Sequence, residues 1–489
     1  MKYTTRTTLL IFLITIFLFF SKAAFGKEVE LRYSQKDIYN YFSGIVSLNQ
    51  DFTTRGFNHL NKVQYLKDIH SNYNLQFIRT LILLEKFEQA FSFSKSIWTE
   101  NDEVFEVDLL LGIESFINKD YLSAEKYFVR LNKISKHNLI FDDFFGNLLI
   151  SWVKASENKQ KDSFKFFNKI PERFKSIKKV QSIFLNCYFK NPNTKSIYEN
   201  LVFSEKNDYS RYNFFLANYL IYNNEKKEAE KIIIKSRKVN NSNLLIKQAE
   251  NFIQTGKIKN IKNFYDCSDP RDSIAEIFYI IANMYSTQEN YMLSNFYLRI
   301  SLFLNNKFTP NKALLAENFL LQKQFENSKK IYKSVKLIGA IYSWHASTSL
   351  AMILSNKSGK KSAVEYLEKE FASLSNPNFE HYYGLANFFK DNEYYEKSVK
   401  YYSLALKKID QKNNKLVSKI LDRRGTSDER MGDWSKAEMD LMESLKILPD
   451  QPHVLNYLAY SWIEKGVNFD KALEMLKRAT KLRKNDGYI

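Results

Sequence analysis

A small residue returns roughly every thirty-five positions along this chain, and a second one follows it twelve positions later. Aligned on that pair, segments begin near Lys36, Ser71, Phe105, Phe144, Ser210, Ala275, Thr309, Trp344, Phe379, Ser418 and Pro452. The gaps are 35, 34, 39, 66, 65, 34, 35, 35, 39 and 34, and the two long ones leave room for degenerate segments near 178–209 and 244–274. The eighth position reads Ser43, Ile78, Gly112, Ser151, Ala217, Ala282, Ala316, Ala351, Ala386, Gly425 and Ala459. The twentieth reads Arg55, Ala90, Ala124, Ser163, Ala229, Ser294, Ser328, Ala363, Ser398, Ala437 and Ala472, the last after a one-residue insertion. Two antiparallel helices need such residues where their backbones cross closely, since bulk there pushes them apart. The seventeenth position is aromatic in Phe52, Phe87, Tyr121, Tyr291, Phe325, Tyr395 and Trp434, with Phe469 one residue late. It opens the second helix and plugs the gap to neighbouring helices. One hairpin cannot bury its apolar face alone, whereas a stack buries a continuous core.

Composition agrees with helices joined by short turns. The chain has 13 Gly and 7 Pro in 489 residues, too few turn formers for an all-β fold. Hydrophobic residues make up 44%, so the chain folds. Two cysteines exclude a disulfide scaffold and a multi-cysteine zinc site.

Gly425, Gly432, Trp434, Ala437, Leu441, Ser444 and Pro449 carry a known pattern within the segment that starts at Ser418. It resembles the tetratricopeptide repeat, a helix-turn-helix unit of about 34 residues. The resemblance spans about 36–489, is strong over 275–489 and 71–131, and is weak over 178–209 and 244–274. It implies an all-α fold, a right-handed α-solenoid of stacked antiparallel helix pairs, with about thirteen units and an irregular middle. An N-terminal array over 36–209, an irregular region over 210–274 and a C-terminal array over 275–489 without a capping helix are expected. The weak stretches hold Cys187, Cys267, Pro192 and Pro270, where a bend is expected. Cysteines more than two units apart in a linear stack seldom meet, so these two pair only if the middle folds back.

The resemblance also implies a concave wall lined by the first helix of each unit, which in this family binds peptide segments or whole proteins. Positions 2, 5, 6, 9, 12 and 13 of that helix are the contacts. In the last units they include Glu380, Tyr383, Asn387 and Lys390, then Lys419, Asp422, Arg423 and Arg430, then His453, Asn456, Tyr457 and Tyr460. Family members that grip a C-terminal carboxylate use Lys and Asn, then Asn, then Lys and Arg across three units. Lys419 and Arg423 fit the last pair, but Gly384, Thr348 and Met352 stand where the others belong, so that clamp is not inferred.

Lys2 and Arg6 lead into an apolar run from Leu9 to Phe20, interrupted only by Thr15, and small residues follow. A basic start, a short apolar core and small residues form a secretory signal over 1–26, with an uncleaved inner-membrane anchor as the alternative. Its removal takes Lys2, Arg6 and Lys22 and lowers the net charge from +19 to +16. Export to a bacterial periplasm or envelope is therefore expected. From Lys154 to Lys179 nine Lys or Arg face three acids, a stretch that could attract an anionic membrane surface or reflect a generally lysine-rich composition. Nothing points to nucleic acid as a partner.

No catalytic, cofactor or metal site is expected. Ser358-Gly359-Lys360-Lys361-Ser362 resembles the tail of a phosphate loop, but Leu354 replaces its first glycine and no strand precedes it. His59, His70, His137, His345, His381 and His453 show no metal-binding spacing. The sequence reads as a non-catalytic protein-interaction scaffold; the alternatives are the repeat arm of a longer enzyme or secretion or envelope-assembly complex, or a membrane-surface organiser.

Overall fold

The computed structural model describes residues 33–135, 143–203, 210–239, 242–409, 413–484 and 486–487. The signal segment and His137 lie outside them. Among the described residues there is no β-strand, and no helix is long and apolar enough to cross a membrane. The chain forms two compact units that divide after Thr99. The first holds two helix hairpins, Gln35–Asn49 with Thr53–Leu60 and Ser71–Leu83 with Phe87–Ile97, joined by a 3-10 stretch at Asn61–Asp68.

In the second unit Phe105–Ile117 pairs with Tyr121–Ser135, and Phe145–Ser156 with Gln160–Asn168. The middle consists of Lys175–Tyr188 with Thr194–Val202, Ser210–Tyr222 with Lys226–Val239, and Leu244–Gln254 with the short Lys259–Lys262. Pro270–Thr287 with Tyr291–Leu304, Asn311–Leu321 with Phe325–Val335, and Ala340–Ser358 with Lys360–Ala372 follow. The last three are Phe379–Asp391 with Tyr395–Lys408, Asn414–Arg430 with Trp434–Ile447, and Pro452–Glu464 with Phe469–Leu482.

The recurring small residues sit at the helix crossings. Ala124, Ala282, Ala316, Ala386, Ala437, Ala459 and Ala472 are fully buried. A Cβ on Gly425 would stand 3.0 Å from the backbone oxygen of Ala437, so the eighth and twentieth positions meet face to face. Where serine replaces alanine, its hydroxyl is used across the same crossing. Ser328 donates to the Ala316 carbonyl at 2.9 Å, and the Ser151 and Ser163 hydroxyls lie 3.2 Å apart. The first hairpin corrects the register. Arg55 is exposed and Ser43 half-buried, whereas Gly44 and Gly56 are buried against each other. The crossing there is one residue later than the spacing predicts.

The turns obey one rule as well. The fifteenth residue of the hairpin is left-handed at Glu85, Lys119, Asn158, Asn224, Glu289, Lys323, Glu393, Gly432 and Gly466, as is the sixteenth in the first hairpin, Asp51, one residue late like its crossing. The next backbone N–H then bonds back five residues, as Lys86 does to Leu81 at 2.9 Å, which satisfies a carbonyl the helix end would leave open. That closure explains why the turns are short and polar.

The middle departs from a plain stack. Pro270–Thr287 packs on both Lys175–Tyr188 and Phe145–Ser156, and Leu244–Gln254 packs on Ala340–Ser358. The expectation that Cys187 and Cys267 stay apart is corrected: they form a disulfide, with Cα atoms 5.9 Å apart across 80 residues. The middle folds back and brings them together. Gln181 bolts the same junction, accepting from Trp152 Nε1 at 2.9 Å and donating to the Ser273 carbonyl at 3.1 Å. Arg211 reaches Glu276 with two bonds of 2.8 Å and Asn311 with one of 2.9 Å, while its guanidinium lies 3.7 Å over the Tyr279 ring.

Beside the disulfide, Asp272 is buried and accepts the Asp266 N–H at 2.9 Å. Burial pushes its carboxyl up to about 7, with Asp269 and Asp266 adding repulsion and Lys307 opposing them. The folded chain therefore holds a proton that the unfolded chain releases near pH 4. Stability contributed by this group is full below that value and is lost as pH rises towards 7. The expected loss is on the order of 2–4 kcal/mol at about 1.4 kcal/mol per unit. Urea midpoints at pH 5 and pH 8 should differ less in Asp272→Asn than in the parent; an unchanged difference refutes this.

Candidate partner-binding groove

The face formed by Phe379–Asp391, Asn414–Arg430 and Pro452–Glu464 is built by local signals. Asn378 caps the first helix through a reciprocal pair with His381, Asn413 caps the second by accepting from the Leu416 N–H, and Pro452 opens the third. Ala386, Gly425 and Ala459 lie on the buried side of these helices, which fixes the orientation of the remaining positions.

The structure joins several of the expected residues into one network. Asn387 Oδ1 accepts from the Tyr402 hydroxyl at 2.7 Å and from Arg423 Nη1. The Arg423 guanidinium lies 5.7 Å from the Tyr383 ring centre, and Tyr383 stacks on Phe379 at 5.6 Å. The Tyr383 oxygen is shut off from solvent and lies close to Asn387. Burial raises its pKa, and Arg423 opposes the shift. Burial likewise raises the Asp422 carboxyl, against the attraction of Arg423, Lys390, His453 and Lys419. Those four side chains all act on one carboxylate. Lys390 also lies 3.6 Å from Asp391 at the helix end, and Lys419 is exposed.

The other expected contacts separate from this cluster. Tyr457 donates to Glu429 Oε2 at 2.8 Å, and burial raises its pKa. Arg430 is exposed and lies 3.7 Å from Glu429. Asn456 is half-buried, and Tyr460 is exposed. Trp434, expected to plug a gap, packs half-buried against the core around Leu441, Leu458 and Trp462.

Glu380 is taken by the chain itself. Arg237 Nη2 lies 2.8 Å and Lys247 Nζ 2.9 Å from its Oε1. Gln248 Oε1 accepts the Ile341 N–H at 3.0 Å, Leu244 packs against the cluster of Tyr342, Ala346 and Leu350, and His345 is held neutral by burial and by Lys247. Leu244–Gln254 thus covers the start of the Ala340–Ser358 helix. The start of the next helix is reached too, at Glu380, so the open part of this wall lies beyond that residue. No local pattern in 226–254 signalled this contact, because it joins residues 143 positions apart in chain order.

The arrangement offers grouped cations, one half-buried carboxylate and aromatic faces, a surface for polar recognition. Helix hairpins at a step of about thirty-five residues, closed on small residues, give an all-α fold of tetratricopeptide-like repeats. No family model and no curated protein matches the chain. Among solved structures it is similar to the APC/C hetero-tetramer Cut9–Hcn1 at 14% identity, over 93% of this chain and 95% of that one, with a TM-score of 0.34. It is also similar to yeast Tom70 at 15% identity, over 92% of each chain, with a TM-score of 0.35.

Proposed function

We propose that this protein is a non-catalytic scaffold, exported to the periplasm or cell envelope, that holds an extended segment of a partner protein along the wall formed by the first helix of each unit from Phe379 onward. The single observation behind this reading is the contrast along that wall. The helix at 340–358 is covered by the chain's own Leu244–Gln254, whereas the next three present Lys390, Lys419, Arg423 and His453 around Asp422. Grouped cations beside Tyr383 suit an acidic segment with apolar side chains. Export is supported by the basic and apolar start of the sequence and by the Cys187–Cys267 bond, which persists in oxidising compartments.

The test is capture from an envelope extract on the immobilised chain. Lys419→Glu with Arg423→Glu should reduce the retained partner at least tenfold while the melting temperature stays within a few degrees. Unchanged retention by a folded double variant overturns the groove assignment.

A further inference from the structure

Part of the basic stretch from Lys154 to Lys179 is spent on internal contacts. Lys154 lies 2.6 Å from Glu125 and 3.1 Å from Glu157, and Lys159 lies 2.8 Å from Glu157. Lys178 lies 2.6 Å from Glu172 and donates to the Ile170 carbonyl at 2.9 Å. Lys169 rests 4.5 Å over the Phe166 ring. A flat electrostatic patch is not what remains.

Two of the remaining lysines, Lys175 and Lys179, line a cavity of about 430 Å³ beside helices Gln160–Asn168, Lys175–Tyr188 and Thr194–Val202. That volume is within the usual range for small-ligand sites, about 300–1,000 Å³. The lining divides into two chemistries. Phe167, Ile183 and Leu201 are buried and Ile197 half-buried, and they give an apolar floor. Lys175 and Lys179 stand at the rim, one turn apart at the start of a 14-residue helix, and both are exposed. Neither makes an ion pair or hydrogen bond among the described residues. The acid at the rim, Glu172, is already engaged by Lys178.

We propose that this cavity binds an amphiphilic anion, with an acyl chain on the apolar floor and a carboxylate or phosphate head between Lys175 and Lys179. An inorganic anion would leave the floor unused. An uncharged hydrocarbon would leave the two ammonium groups at the positive end of a helix dipole with only Glu172 nearby, a carboxylate that Lys178 already engages. Only a ligand with both parts satisfies both walls. This reading is independent of the groove at Phe379.

Isothermal titration of the full chain with decanoate, below its micelle concentration, tests the proposal. Saturable binding is expected, with decanol and decyltrimethylammonium at least tenfold weaker. Lys175→Glu with Lys179→Glu should weaken decanoate at least tenfold at an unchanged melting temperature, and Ile197→Glu should do the same through the floor. Sedimentation with phosphatidylglycerol vesicles separates two sources of the same chemistry. Co-sedimentation that the double variant abolishes assigns a membrane lipid, and decanoate binding without vesicle binding assigns a free amphiphile. No binding of decanoate, or equal binding by the double lysine variant, overturns the site.

Discussion

Replacing Cys187 and Cys267 together by serine should lower stability by about 4 kcal/mol, from the chain entropy released when a loop of this length is no longer closed. The loop spans 80 residues, and the bond ties helix Lys175–Tyr188 to the segment that leads into Pro270–Thr287. Between the two cysteines lie the Thr194–Val202 helix and two hairpins, the second closed only by the short Lys259–Lys262 element. Urea unfolding followed by circular dichroism measures the effect. A reductant should move the parent's midpoint and leave the double variant's unmoved. Hydrogen exchange should rise first over 175–274, the part the bond confines. A parent indifferent to reductant would show that packing alone closes the junction.

Glu276→Gln should cost about 3–5 kcal/mol, the usual result of removing one partner from a buried ion pair. Glu276 is 3% exposed and receives both Arg211 bonds, with the Tyr212 hydroxyl at 3.3 Å as a third donor. The amide keeps the shape but cannot balance the Arg211 charge, which stays enclosed by Tyr279 and Phe308. Arg211→Met combined with Glu276→Leu removes the charge as well as its partner, and should recover most of the loss. Denaturation of the single and double variants separates the cost of an orphaned charge from the cost of altered packing. A single variant as stable as the parent would mean that water reaches Arg211 there.

The groove was half legible. Asn387, Arg423, Tyr383 and Asp422 were marked by counting along the repeat, and the structure places them together. The same count included Glu380, which Arg237 and Lys247 already hold. Helix periodicity shows which side of a helix faces away from its hairpin partner. It does not show what else comes to lie on that side. The amphiphile cavity was unmarked for a related reason: Lys175 and Lys179 read as two among many lysines, and the apolar floor beneath them comes from three different helices.

The hairpin architecture was determined by the sequence, because each crossing is a local event. Gly425 and Ala437 meet within one unit, and the left-handed residue at Gly432 turns the chain between them. Interactions that close over a dozen residues leave a periodic trace that a single sequence carries. Only the tertiary structure decided how the middle returns on itself, because Cys187–Cys267, Arg211–Glu276 and Arg237–Glu380 join distant parts of the chain. Such pairs recur at no fixed spacing. Their partners are chosen by the burial of several helices at once, and that shared burial exists only after the hairpins have stacked.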